Sequence, residues 1–98
     1  MDNESLVPAP EFCHHYNIEV SFLRSLREYE LIELTTVEST EYIPSTQLPL
    51  LEQFIRLHYD LQINFEGIDA VSHLLNQLHS AHEEINTLKS RLRLYHHE

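Results

Sequence analysis

The stretch FEGIDAVSHLLNQLHSAHEEINTLKSRLRLY, residues 65–95, decides the fold. It contains no proline, so one helix of up to 31 residues, roughly 46 Å at 1.5 Å per residue, is permitted. Within it Val71, Leu74, Leu78, Ala81, Ile85, Leu88, Leu92 and Tyr95 recur at alternating spacings of three and four, and all eight are apolar. That period is the pattern of a coiled-coil seam. Ser80-Ala81-His82-Glu83 has the form of a capping box that could restart a helix, but the seam continues in phase across it, so a single helix is expected. Its far half outruns the core that a head of about 60 residues can build. Unpaired, Ile85, Leu88 and Leu92 would each forgo about 1.5–3 kcal/mol of burial. Two chains paired along the seam recover it, so a homodimer is expected. Residues 64–98 are therefore read as a long C-terminal dimerisation helix, with Asn64 as its N-cap.

Toward the N-terminus the pattern shortens. Residues 1–10 read as a polar arm closed by Pro8 and Pro10, and residues 11–63 as a small head. In the head, Glu11 to Tyr16 has room for a turn or two of helix, stopped at Asn17, a residue that tolerates the left-handed conformation of a tight turn. From Glu19 to Tyr29, Phe22, Leu23, Leu26 and Tyr29 form the buried face of a second helix. Leu31 to Val37 is β-prone, and Glu41-Tyr42-Ile43 returns beside it through Glu38-Ser39-Thr40, giving a small β-hairpin. Ser45 is placed to cap a third helix running to about Leu61, with Pro49 in its first turn and Leu50, Phe54, Leu57 and Leu61 as its buried stripe. The predicted class is mostly α.

Composition narrows the chemistry. Ninety-eight residues with 42% hydrophobic content make one core and not two. Sixteen acidic against six basic residues give a net charge of −10, and residues 1–50 hold nine acids against two arginines, a surface that repels phosphate. Glycine occurs once and tryptophan never, which argues against a Gly-punctuated barrel. The lone Cys13 excludes an internal disulfide and fits a reducing compartment. The acidic start and the lack of any apolar run near 20 residues predict a soluble, cytoplasmic chain with no membrane contact.

A short helix, a tight turn, a second helix, a β wing, a third helix and a long terminal helix follow the order of a MerR-type winged helix-turn-helix. The likeness sharpens at Glu11-Phe12-Cys13, at Asn17-Ile18, at Leu23, and above all at Arg56-Leu57-His58-Tyr59-Asp60-Leu61-Gln62-Ile63-Asn64-Phe65-Glu66-Gly67-Ile68. That motif resembles the chaperone-modulator family, CbpM, within the MerR-like superfamily, and the similarity spans about residues 11–95. In this family Arg-Leu, an acidic residue, Leu, an aliphatic, an Asp or Asn, an aromatic and Gly-Ile recur at this spacing. The resemblance implies a non-enzymatic protein that binds the J-domain of a DnaJ-like co-chaperone and blocks its work with a DnaK-type chaperone. Physically the motif reads as a helix junction in which Leu57 and Leu61 end one stripe, Asn64 caps the next helix, Phe65 wedges between them and Gly67 permits close approach. The chain departs from the pattern in having Glu30 where a glycine usually ends the second helix. It also has Ile43 after Tyr42, where DNA binders of the superfamily carry an arginine.

The residues fit a protein partner better than a nucleic acid. Arg24 and Arg27 on the second helix are accompanied by Glu19, Glu28 and Glu30, and Arg24 with Glu28 at i, i+4 reads as an exposed helix pair. A J-domain presents a basic helix, and an acidic surface complements it. Glu28, Glu30, Glu33, Glu38 and Glu41, on the end of the second helix and the wing, are the candidate contacts. A MerR-like DNA-binding regulator is the alternative. His79, His82 and Glu83 share helical spacing that could ligate a metal, but no Cys partner or H-E-x-x-H accompanies them, and a flanking surface role is the expectation. Cys13 lacks a nucleophile's motif and is read with Phe12 as core against Leu23 and Leu26. No cofactor is called for.

Overall fold

The computed structural model describes residues 5–96; the first four residues of the N-terminal arm, with His97 and Glu98, lie outside it. The elements are β1 (Leu6–Pro8), α1 (Ala9–Tyr16), α2 (Val20–Glu28), β2 (Thr35–Val37), β3 (Thr40–Pro44), a 3-10 turn (Ser45–Gln47), α3 (Leu48–Ile55), a π turn (Arg56–Asp60) and α4 (Phe65–His96). The three strands form an antiparallel sheet in the order β1-β3-β2. Val7 lies opposite Ile43, and Thr36 opposite Glu41. Strand β1 is new: Leu6–Pro8, read from sequence as arm, pairs along the free edge of β3, and Ala9 behind it is fully buried. Two of the arm's three strand residues are partly buried, a pattern too short for periodicity to detect.

Helices α1 and α2 form the helix-turn-helix. Asn17 takes φ 58, ψ 46, and the Ile18 N–H returns to the Cys13 carbonyl at 2.9 Å, which closes α1 in the left-handed cap its sequence suggested. The hairpin turn is tighter than the expected three residues. Val37 pairs directly with Thr40, leaving Glu38 and Ser39, both at positive φ, as a two-residue loop of the kind that matches strand twist. Only residues 35–37 of the predicted Leu31–Val37 strand pair with β3. Residues ahead of it are held instead by Gln47, whose side-chain amide accepts from the Glu33 N–H at 2.8 Å and donates to the Glu33 carbonyl at 2.9 Å.

The third helix departs most from expectation. Ser45 makes no side-chain cap; it opens a 3-10 turn, and α3 starts at Leu48 with Pro49 in its first turn. The helix then widens, with the Leu61 N–H bonded five residues back to the Arg56 carbonyl at 3.1 Å, and ends at Gln62, φ 57, with the Ile63 N–H on the Leu57 carbonyl. Within α3, Leu51 and Phe54 are buried and Leu50 faces outward; the extra residue of the turn then shifts the phase, so Leu57 is only partly buried and Leu61 faces outward. The predicted stripe of Leu50, Phe54, Leu57 and Leu61 is thus corrected at Leu50 and Leu61, while Phe54 is buried and Leu57 packs against the core.

Asn64 caps α4 as expected, its side-chain oxygen accepting the Gly67 N–H at 2.8 Å. Gly67 serves this cap and not a helix crossing, because a Cβ there would stand 2.6 Å from Ile63 Cγ2 and 3.1 Å from Asn64 Oδ1. No break occurs at Ser80. The core comprises Ala9, Phe12, Cys13, Phe22, Leu23, Leu26, Ile32, Ile43, Leu51, Phe54 and Ile68, and among the described residues no polar or charged one is buried. From α4 the head takes Ile68 as its fully buried member, so the helix leaves the core within its first two turns.

Candidate functional site

The face of α2 that a helix-turn-helix offers to a partner carries Arg24 and Arg27, and both are engaged from the wing. Glu41 on β3 takes Arg27 Nη1 at 3.0 Å on one carboxylate oxygen and Arg24 Nε at 3.5 Å on the other. The sequence pairing of Arg24 with Glu28 is therefore corrected: Arg24 reaches across to the hairpin. The β register that puts Glu41 opposite Thr36 sets Glu41 beside α2, and its side chain is only 19% exposed against 58% and 43% for the arginines. An anion already occupies both guanidinium groups. Beneath the pair lies a cleft of about 400 Å³ lined in part by Val20, Thr36, Ser39 and Thr40.

The five candidate glutamates separate into groups. Glu28, at the end of α2, is exposed. Glu30 and Glu33 are brought together, lining one shallow groove with Arg27, Ile32 and Leu34. Glu30 holds φ 60, and the Leu31 N–H behind it bonds the Leu26 carbonyl at 3.0 Å, so a carboxylate side chain occupies a helix-ending position that favours glycine. Glu38 sits exposed at the tip of the wing, apart from that groove. Glu41 is the least exposed of the five, and its carboxylate is shared between the two arginines.

Sequence reading missed a neighbour of this surface. Because the left-handed turn at Glu30 folds the chain back, Glu30 also borders a second groove with Tyr29, Leu31, Leu50, Asp69 and His73, which continues the acidic strip onto α4. Tyr29 ties the two helices: its hydroxyl donates to Glu66 at 2.9 Å. Glu66 is held below the ordinary glutamate range, first by a backbone N–H at the start of α4 and then by that hydroxyl, while the same bond raises Tyr29. The i, i+3 spacing of Glu66 and Asp69 was the available signal, but nothing in it indicates that α2 lies alongside.

The junction motif is an aromatic cluster. Phe65 sits 5.7 Å from Phe22, 6.2 Å from Tyr29 and 4.8 Å from His58 between ring centroids, so the expected wedge is real. His58 closes it from below, stacked on Phe65 with its Nδ1 2.9 Å from the Ile63 carbonyl. On the opposite side of the head, Tyr16 of α1 donates a hydrogen bond to Glu52 of α3. Cys13 is buried, and burial pushes its thiol up, away from the reactive thiolate.

Along α4 the seam residues are uncovered in the single chain. Val71 is half-buried against the head, but Leu74 is 62% exposed, Leu92 56% and Tyr95 84%, with Leu78, Ala81, Ile85 and Leu88 also exposed. Folding back over the head does not occur. His79 pairs with Glu83 at 3.1 Å on the exposed surface, and His82 is exposed beside them; among the described residues no group of three ligating side chains converges on one point. Among those same residues no helix is long and apolar enough to cross a membrane.

A model of the MerR HTH family regulatory proteins matches residues 7–90, from β1 into the last third of α4. No curated protein and no solved structure matches the chain.

Proposed function

The chain belongs to the MerR HTH family of regulatory proteins, and from that premise we propose that this member is a cytoplasmic, non-enzymatic protein-binding module, a chaperone modulator of the CbpM type that occludes the J-domain of a DnaJ-like co-chaperone. The observation that favours this is the Glu41 bridge. The two arginines of α2 available to meet phosphate share one carboxylate of the same chain, and Glu30 and Glu33 line a groove with Arg27. The Arg56–Ile68 motif supports the same reading. An acidic edge running over Glu30 and Glu33 toward Asp69 complements a basic helix and repels a nucleic-acid backbone.

Two copies act together in this reading, paired through Val71, Leu74, Leu78, Ala81, Ile85, Leu88, Leu92 and Tyr95, because the half-exposed leucines otherwise forgo burial along the whole helix.

The test is a pull-down of a purified J-domain, run beside an electrophoretic shift of duplex DNA. The expected result is capture of the J-domain, weakened and made more salt-sensitive by Glu30→Lys with Glu33→Lys, and no shift of the duplex. Capture that ignores both substitutions would move the contact elsewhere. A J-domain left unbound while DNA is shifted would favour the second reading, a MerR-like transcription regulator, which the family match supports equally well.

A further inference from the structure

We propose that an apolar notch between α3 and α4 anchors a basic amphipathic helix of the partner. One aliphatic side chain of that helix seats in the notch, and its Lys or Arg residues one to two turns away meet Glu30 and Asp69. The inference rests on the partner reading above and deepens it by separating an apolar anchor from the acidic strip.

The notch holds about 70 Å³ and is lined by Leu50, Phe54, Leu57, Val71 and Leu75. That is room for the end of one aliphatic side chain. Phe54 is buried, whereas Leu50 and Leu75 stand at the opening, 38% and 41% exposed. The chain uses neither rim leucine for itself: Leu50 lies outside the head's core, and Leu75 falls outside the register of Val71, Leu74 and Leu78 that forms the seam. Two exposed leucines on one concave opening mark a surface for another molecule.

Charge identifies the occupant. The notch runs into the groove that carries Tyr29, Glu30 and Asp69, since Leu50, Ser72 and Asn76 line both. An apolar half and an anionic half therefore share one rim. Asp69 precedes Leu75 by six positions on α4, about 9 Å at 1.5 Å per residue, which is one to two turns of a partner helix. A helix with one aliphatic residue at that distance from a Lys or Arg matches both halves at once. The anionic half stays open even in a paired molecule, because Asp69, Ser72 and Asn76, at spacings of three and four, lie on the side of α4 opposite Val71, Leu74 and Leu78. The acids then speed the encounter, and the desolvated anchor holds the complex once it has formed.

The experiment measures the association and dissociation rates of a purified J-domain on the full chain and on three variants, with sedimentation run on every sample. The variants are Leu50→Gln combined with Leu75→Gln, Leu75→Met alone, and Asp69→Asn. Both leucines are already partly exposed, so their exchange leaves the fold in place. The paired glutamines are expected to weaken binding about tenfold or more, almost wholly through faster dissociation. Leu75→Met keeps the rim apolar and should bind almost as well as the parent chain. Asp69→Asn should slow association and reduce its salt dependence, with little change in dissociation. A glutamine variant that binds at the parent's strength overturns the anchor and leaves the J-domain reading intact; a J-domain bound by none of the chains removes both. Loss of self-association in the glutamine variant would assign the notch to a second copy and likewise overturn the proposal.

Discussion

Asn64 Oδ1 accepts the Gly67 N–H at 2.8 Å, and a methyl group on Gly67 would stand 3.1 Å from that same oxygen. The chain's single glycine is therefore tied to a helix cap. In an ordinary helix interior, replacing glycine with alanine gains about 1 kcal/mol. Here the methyl crowds the cap and meets Ile63 Cγ2 at 2.6 Å, so the sign reverses. Gly67→Ala is expected to cost about 1 kcal/mol, close to the loss from Asn64→Ala, as read by urea unfolding at fixed protein concentration. A gain in stability would show that the loop before α4 relaxes freely.

Glu30 gives the opposite case. Its φ of 60 strains an L residue, and among the described residues no side-chain hydrogen bond or ion pair of its own offsets this. Glu30→Gly should stabilise the fold by about 0.5–1 kcal/mol, the left-handed penalty less glycine's greater entropy loss. The same variant should weaken J-domain capture if Glu30 is a contact. Thermal unfolding and binding thus separate the two roles of one side chain.

The Tyr29–Glu66 bond predicts a pH window. Glu66 is held below its ordinary range in the folded state, so its contribution is present above the ordinary glutamate value and is lost as pH falls through the lower folded one. Tyr29 is raised, so the hydroxyl's contribution is present below the ordinary tyrosine value and is lost as pH climbs through the higher folded one. Tyr29→Phe should flatten the alkaline limb of the melting-temperature profile and only soften the acid one, whose larger cause is the backbone N–H that Glu66 keeps. An unchanged alkaline limb would mean that the bond is not populated in solution.

Glu41→Gln removes the anion shared by Arg24 and Arg27. All three groups are at least partly exposed, so the loss should be about 1 kcal/mol or less and should shrink in high salt. Hydrogen exchange at Tyr42 and Thr36 should quicken, because the bridge docks the wing on α2. A wing that exchanges as before would show that the sheet holds it unaided.

Much of this architecture is legible in the residue pattern, and the places where it is not share a cause. Asn17, the Phe22-Leu23-Leu26 face, Asn64 and the uninterrupted α4 could be read because each is a local or periodic signal, and the order of elements followed. Strand β1 escaped because three residues carry no period. Leu61 was misplaced because a π turn shifts phase without leaving a mark in composition, and Leu50 because its neighbour Leu51 takes the buried position instead. At the candidate site, the exposure of Glu28, Glu30, Glu33 and Glu38 agrees with their reading as surface acids. The bridge from Glu41 to Arg27 and Arg24 could not be read because these partners lie 14 and 17 positions away, across a hairpin whose register no local rule sets. Asp69 was overlooked for a similar reason, since the backbone turn at Glu30 that brings it near was expected of a glycine.

Since the core is built without a single charged or hydroxyl side chain among the described residues, the instructions for folding and the vocabulary for recognition occupy separate sets of positions. A library of charge reversals spread over the head would accordingly vary what the molecule grips while barely disturbing how it holds itself together, and specificity could drift over generations on an unchanged frame.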